Sequence, residues 1–312
     1  MKKIKEITGF GSLDIYKGVI IVYNKKEHIY QIDEKVDILP LLEENIYSVK
    51  VLDDDLLYKI ENPENMMIYE KNIELKDSSK CVLHTALKCD IYIYIYSKKY
   101  NSEIFLDANL QFVREAPEYC NFSYKQYLFH NSNKSKLLIC YELNNELWKF
   151  PYTDDSNIEI IAGYQDKVLL YSESGDLFAL NLENGEVCWK YPEQNPNGRY
   201  CFFENYIYHL YKNVLREINA ETGVLNRVGD VQDLREKEHF LATGGIKAYN
   251  DYIFLKDVDG AIAIIDRETM KLKEILRFEH HLGNFYFPVH WLNNKLYVQD
   301  VKNVIHIFEG SE

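Results

Sequence analysis

Apolar residues along this chain come in short runs of about five, and the runs are paired across polar turns. The pairs recur. Eight copies can be marked, at residues 17–33 (KGVIIVYNKKEHIYQID), 54–70, 90–107, 125–142, 166–181, 205–219, 251–266 and 294–309. Their starts lie 37, 36, 35, 41, 39, 46 and 43 residues apart, so the period holds while the residues inside it drift. Runs rich in Tyr, Phe, Ile and Val, bounded by Gly, Asn, Asp, Ser or Lys, predict antiparallel strand pairs. A further run stands before many pairs, as in IEIIAG (158–163), RYCFF (199–203) and YFPVHW (286–291). Another follows, as in ELWKF (146–150), EVCWK (186–190) and VLNRV (224–228). Each repeat therefore supplies four strands.

A strand-built repeat of this length marks a radial array of blades, none of which buries both its faces without neighbours. The pattern predicts an all-β chain forming an eight-bladed β-propeller of four-stranded antiparallel blades, in one domain over residues 1–312. Seven blades is the alternative if one early repeat is incomplete. With the strands of a blade lettered A to D from the axis outward, the recurring pair is B and C. The last pair ends at residue 309 and leaves no chain for its own strand D. KIKEITG (3–9) can supply it, pairing beside 304–308, so the ring is expected to close through the N-terminal strand.

Composition fits strands, with 46% apolar residues, 26 Tyr and 15 Phe. The formal net charge of −13 changes the functional picture, because an acidic surface repels phosphate backbones and anionic lipid heads. Nucleic-acid and membrane partners are not expected. The start, MKKIKEITGFGSLDIY, sets Glu6, Gly9, Gly11 and Asp14 where a signal peptide needs a continuous apolar stretch, and no run elsewhere reaches the length of a membrane span. A cytoplasmic monomer is expected. Six cysteines (Cys81, Cys89, Cys120, Cys140, Cys188, Cys201) form no CxxC pair and are read as buried free thiols of a reducing compartment.

Candidate chemistry is thin. His280, His281 and His290 lie close in sequence, but adjacent histidines on a strand point to opposite faces and only Glu279 stands ready beside them, so ordinary loop histidines are favoured over a metal site. The run Asp53, Asp54, Asp55 lacks the alternating ligands and glycine of a calcium loop. NPEN (62–65) and NPNG (195–198) read as turns. No GxSxG, GxxxxGK[ST], HExxH or GxGxxG occurs. The expectation is a protein that is not an enzyme and carries no cofactor.

Within the fifth repeat, DKVLLYSESGDLFALNLENGEVCWKY (166–191) resembles the blade of pyrroloquinoline-quinone-dependent dehydrogenases and their wider superfamily. The likeness rests on Gly175, Ala179, Leu180, Asn181, Asn184, Gly185 and Trp189. The sixth repeat keeps Thr222 and Gly223 but has Arg227 in place of the Trp; the seventh keeps Asp266 and Thr269 but has Met270 in place of the Gly. In the fourth, Trp148 alone is retained. The resemblance implies that Trp148 and Trp189 pack between neighbouring blades. Its enzyme branch implies adjacent cysteines against the quinone and a calcium ion; no two cysteines here are adjacent, which points to a member without cofactor.

Strand alternation puts the B–C turns and the D-to-A connections on one face. The longest connections are of the second kind, at 151–157, 192–199, 229–240 and 279–284, and long loops are where binding usually sits. They carry Asp154, Asp155, Glu193, Asp230, Asp233, Glu236 and Glu238, with His280 and His281 as further contacts. This acidic face is expected to hold a basic protein partner, in the sharpest version as an immunity protein neutralising a cationic toxin. The alternative is an enzyme or small-ligand binder with a pocket at the central channel.

Overall fold

The computed structural model describes the chain apart from residues 24–26, 53–54, 61–65, 70–72, 76–80, 90–91, 98–101, 108, 117–118, 133, 143–144, 153–156, 174, 192–197, 212–213, 232–233, 235–239, 241–244, 258, 283–288 and 311–312. The chain is a propeller of eight four-stranded antiparallel blades. All eight predicted pairs are strands B and C of their blades; in blade five, for example, B is Lys167–Ser172 and C is Leu177–Asn181. Strands B and C are nearly continuous apolar runs because a neighbouring blade covers each face, and strand B of blade five is buried at every position.

Blades one and two depart from four separate strands. A single strand, Ile38–Leu52, serves as strand D of the first and strand A of the second. Its first part pairs with Glu27–Ile32 and its second with Asp55–Ile60, with shifts in register where the partner changes. Between Leu41 and Leu52 the sequence has no Gly or Pro to break the extended chain, so the crossing is made without leaving the strand conformation.

The described residues gather into two compact units. One comprises Ile7–Ser132 and Ile139–Trp148, the other Met1–Glu6, Asn133–Leu138 and Lys149–Glu312. In the first, core residues lie between blades: Tyr16, Ile21 and Ile29 of blade one pack with Leu56 and Tyr58 of blade two, and Leu57 and Met66 of blade two with Ile93 and Ile104 of blade three. In the second, Leu169, Ala179 and Trp189 of blade five pack on Ile207 and Ile218 of blade six, and Phe254 and Ile264 of blade seven on Trp291 and Val298 of blade eight. Exposed large side chains such as Ile4, Phe112, Val187 and Val228 stand on the outermost strands, and others such as Tyr119 and Val301 in connections. Those strands also hold charges, as in KKIKEIT (Lys2–Thr8) and KLKEILR (Lys271–Arg277), which discourages edge-to-edge pairing.

The conserved-looking spacing inside blades five to seven has a physical origin. At the end of strand C, Asn181 Oδ1 accepts the N–H of Glu183 and Asn184, Asn219 Oδ1 accepts the N–H of Glu221 and Thr222 with the Thr222 hydroxyl, and Asp266 Oδ1 accepts the N–H and hydroxyl of Thr269. Four residues beyond each, a backbone N–H returns to the carbonyl of that same residue, and the residue that donates it has φ of 72° at Gly185, 69° at Gly223 and 56° at Met270. Such a turn asks for glycine, and Met270 tolerates it with its side chain buried. From strand D of blade five, Trp189 then reaches the turn of blade six, donating its indole N–H to the Ala220 carbonyl at 3.0 Å. Trp148 is also buried, its ring against Phe129.

Closure runs through the N-terminal strand. Lys2–Thr8 adds to Val304–Glu309 as the outermost strand of blade eight. The N-terminal ammonium pairs with Glu274 on strand D of blade seven. His306 sits between two carboxylates, Nδ1 at 2.9 Å from Glu6 and Nε2 at 3.1 Å from Asp300, and Lys3 pairs with Glu6 from the same strand. Burial opposes ionisation of Asp300, but the N–H groups of Val304 and Lys302 and the His306 side chain outweigh it and hold the carboxyl below its ordinary range. Glu6 is held low first by its hydrogen bond with Lys3, then by His306.

One reading of the cysteines is corrected. Cys120 and Cys140 are buried free thiols and Cys201 is half-buried, but Cys188 is exposed, because it alternates with Trp189 on the outermost strand and takes the outward side. Cys81 and Cys89 have side chains outside the described residues. Among the described residues no helix is long and apolar enough to cross a membrane.

Two outcomes follow for the fold. Trp189→Ala is expected to destabilise the protein by about 3–5 kcal/mol, as other large aromatic truncations do. Gly223→Ala meets both a positive φ and a Cβ position 2.5 Å from the Trp189 ring, so in a double-mutant cycle by denaturant unfolding it should hurt less in the Trp189→Ala background; strict additivity would remove the proposed contact. Because Glu6 and Asp300 are both held low, their contribution is complete above the ordinary carboxylate range, about pH 4, and is lost as pH falls through their depressed values. Melting temperature should therefore drop on acidification, and less steeply in Asp300→Asn, which starts lower at neutral pH; parallel curves would exclude this linkage.

Candidate functional site

The predicted acidic face is only partly described. Asp154, Asp155, Glu193, Asp233, Glu236 and Glu238 lie outside the described residues. Asp230 closes strand D of blade six opposite Val214, with its side chain outside them too. His280 is half-buried and His281 exposed, in the connection that leaves strand D of blade seven. The His281 carbonyl accepts the N–H of Val301 at 3.0 Å, and a Cβ on Gly260 would lie 2.8 Å from the His280 carbonyl. Gly260 and Val301 belong to the B–C turns of blades seven and eight, so this D-to-A connection and the B–C turns do share one face. His290 is buried on strand A of blade eight, and no group of three His, Cys, Asp or Glu among the described residues could hold a metal.

On that same end of blades five and six, where strand A begins and strand B ends, lies a cleft of about 370 Å³ lined by Glu159, Tyr171, Glu173, Gly198, Arg199 and Tyr200. Glu159 is the second residue of strand A in blade five, Glu173 opens the B–C turn of that blade, Gly198 ends the connection to blade six, and Arg199 and Tyr200 open strand A there. The Tyr171 and Tyr200 rings meet at a tilt of 47° with centroids 4.7 Å apart, and the His209 ring lies 6.1 Å from Tyr171. The backbone N–H of Gly198 donates to the Tyr171 hydroxyl at 3.2 Å. Its neighbour below explains the glycine, since a Cβ at 198 would fall 2.0 Å from His209 Nε2. Gly198 therefore serves the close approach of strand and ring.

Tyr200 donates its hydroxyl to Glu159, and burial, reinforced by that hydrogen bond, pushes the phenol far above its ordinary value. Glu173 is positioned from the other side by the Asn157 amide, 2.8 Å away. Two exposed carboxylates and two tyrosine rings thus frame one opening, with the exposed Arg199 at its edge. Sequence reasoning missed Glu159 and Glu173 because it looked only inside the long loops. Their positions at the start of strand A and just beyond strand B were the available signal.

A second cavity, about 450 Å³, is lined by Tyr206, Tyr208, Glu217, Asn226, Arg227, Asn250, Arg267 and Glu268. Its buried polar groups satisfy one another. Buried Glu217 takes the guanidinium of Arg227, the Asn226 amide and the Tyr208 hydroxyl, the last at 2.8 Å. Burial opposes its charge, yet these donors hold its carboxyl below the ordinary range. Arg227 also donates to the Glu268 carbonyl in the turn of blade seven. It thus ties strand D of blade six to the next turn, the task Trp189 performs one blade earlier with an indole.

No protein-family model matches this chain, and no curated protein does. Solved structures do match over nearly its whole length. The computationally designed Ika8 protein gives a TM-score of 0.66 at 12% identity, covering 97% of this chain and 96% of the other. The fold is that of a β-propeller. The C-terminal WD40 domain of Sif2 gives 0.63 at 12% identity over 100% of this chain and 98% of its own. BamB from Moraxella catarrhalis gives 0.59 at 13% identity over 98% and 99%. At such identities the likeness to these propellers speaks for architecture alone.

Arg227→Ala leaves the Glu217 carboxylate buried with fewer donors, and chemical unfolding should show a loss of about 2–3 kcal/mol, reduced from a fully buried pair by the partial exposure of Arg227. Adding Glu217→Gln should recover part of it; no recovery would mean that Arg227 acts by packing alone.

Proposed function

We propose that this propeller is a non-enzymatic binding protein that holds a basic protein partner on the face formed by its D-to-A connections and B–C turns. The observation that carries the reading is the cleft of Glu159, Tyr171, Glu173 and Tyr200 on that face. Aromatic faces and carboxylates together attract a Lys or Arg side chain, through the ring quadrupole and through charge. Two carboxylates against one guanidinium leave the cleft one negative charge. The net charge of −13 and the acidic loops 151–157 and 229–240 would draw such a partner in from a distance.

The immunity form of this reading, with a cationic toxin as partner, rests on the advantage of rapid, charge-steered encounter. We also read the blades as being of the quinoprotein kind without its cofactor, because the Asn181–Gly185 turn and Trp189 recur in that family's manner.

The test uses the whole chain as bait, wild type beside Glu159→Lys/Glu173→Lys, at low and high salt, with both shown to melt alike. A basic partner held by the wild type, released by the double variant and weakened by salt is expected. A partner that is acidic, or one held equally by both with unaltered salt dependence, would overturn the reading.

A further inference from the structure

The cavity of about 450 Å³ between blades six and seven lies at the end where strand A turns into B and strand C into D, away from the D-to-A connections. Tyr206 opens strand B of blade six. Asn250 sits in the A–B turn of blade seven, between Gly245–Ala248 and Tyr252–Lys256, and Arg267 and Glu268 follow that blade's strand C, Ala261–Asp266. Every residue of these turns is described.

Glu217 and Arg227 consume each other, together with the Asn226 amide and the Tyr208 hydroxyl. The remaining groups are not spent in this way. Arg267 gives Nη1 to the exposed Glu204 at 2.9 Å, lies 5.1 Å from the Phe203 ring centroid and stands by the Tyr208 hydroxyl; a guanidinium has N–H donors beyond these. Among the described residues the Glu268 carboxylate and the Asn250 side-chain amide have no hydrogen-bond or ion-pair partner. An unspent carboxylate therefore stands next in sequence to a guanidinium that has turned to a different residue, and both line one cavity.

The charge pattern narrows what can enter. A simple anion would meet Glu204 and Glu268 near Arg267, and a simple cation would meet Arg267 itself. A ligand carrying both signs satisfies both. We propose that this cavity binds a free α-amino acid. Its planar carboxylate accepts from the Arg267 guanidinium, whose fork matches that shape, and its ammonium donates to Glu268 and to the Asn250 amide oxygen. Tyr206 and Tyr208, two apart on strand B and so on one face of the blade, give the aromatic wall for its side chain. The volume lies in the range of small-molecule sites. The site is separate from the acidic face, and its test needs no protein partner.

Calorimetric titration of the full chain with each of the standard L-α-amino acids at millimolar concentration tests it. At least one should bind saturably. Its N-acetyl derivative, which lacks the ammonium, and its amide, which lacks the carboxylate, should each bind at least about tenfold more weakly, in line with loss of one charge-assisted hydrogen bond. Glu268→Gln, at an exposed and unpaired side chain, should weaken the amino acid about tenfold with the melting temperature kept, and Glu268→Lys should abolish binding. Arg267→Gln should also abolish it; if that variant does not fold, the amide derivative carries the same test on the intact protein. No binding of any standard amino acid, equal binding of the N-acetyl or amide derivative, or full affinity in Glu268→Gln would overturn the proposal.

Discussion

A four-stranded blade with apolar side chains on both faces has no stable existence alone, and every other feature of this protein answers to that constraint. Burial along strands B and C is nearly complete in blades such as the fifth because a second sheet covers each side. The remaining liability is an open end, where one blade would lack its outer strand and leave a ladder unpaired. Strand Lys2–Thr8 removes it, and the ion pair of Met1 and the contact of Glu6 with His306 are concentrated where that strand docks.

Much of this architecture was readable because the hydrophobic pairs return at a steady interval and each demands strands B and C. The blade count and the closing strand come from the same arithmetic, since a pair ending at residue 309 needs an outer partner from elsewhere. The long strand Ile38–Leu52 was not readable as one element. A repeat rule expects a break between blades, and only the lack of Gly and Pro between Leu41 and Leu52 hinted otherwise.

The candidate sites were legible only in part. Loop length and charge pointed to the end of blades five and six where the cleft lies, yet the cleft is built from Glu159, Glu173 and two tyrosines at strand ends, where periodicity assigns residues to structure. Gly198 shows the limit most plainly. Its requirement comes from His209, in the next strand, and a one-dimensional pattern holds no record of that approach.

That closing strand is made well ahead of its partner Val304–Glu309. At translation rates of about 5–20 residues per second the N-terminal edge waits on the order of tens of seconds without its ladder. During that interval it is an unpaired, partly apolar strand in a crowded setting, the kind of segment that captures other chains. Lys2, Lys3 and Lys5 around Ile4 then act as a guard on the nascent protein, and their positive charge in an acidic chain protects the waiting strand before it ever stabilises the finished ring.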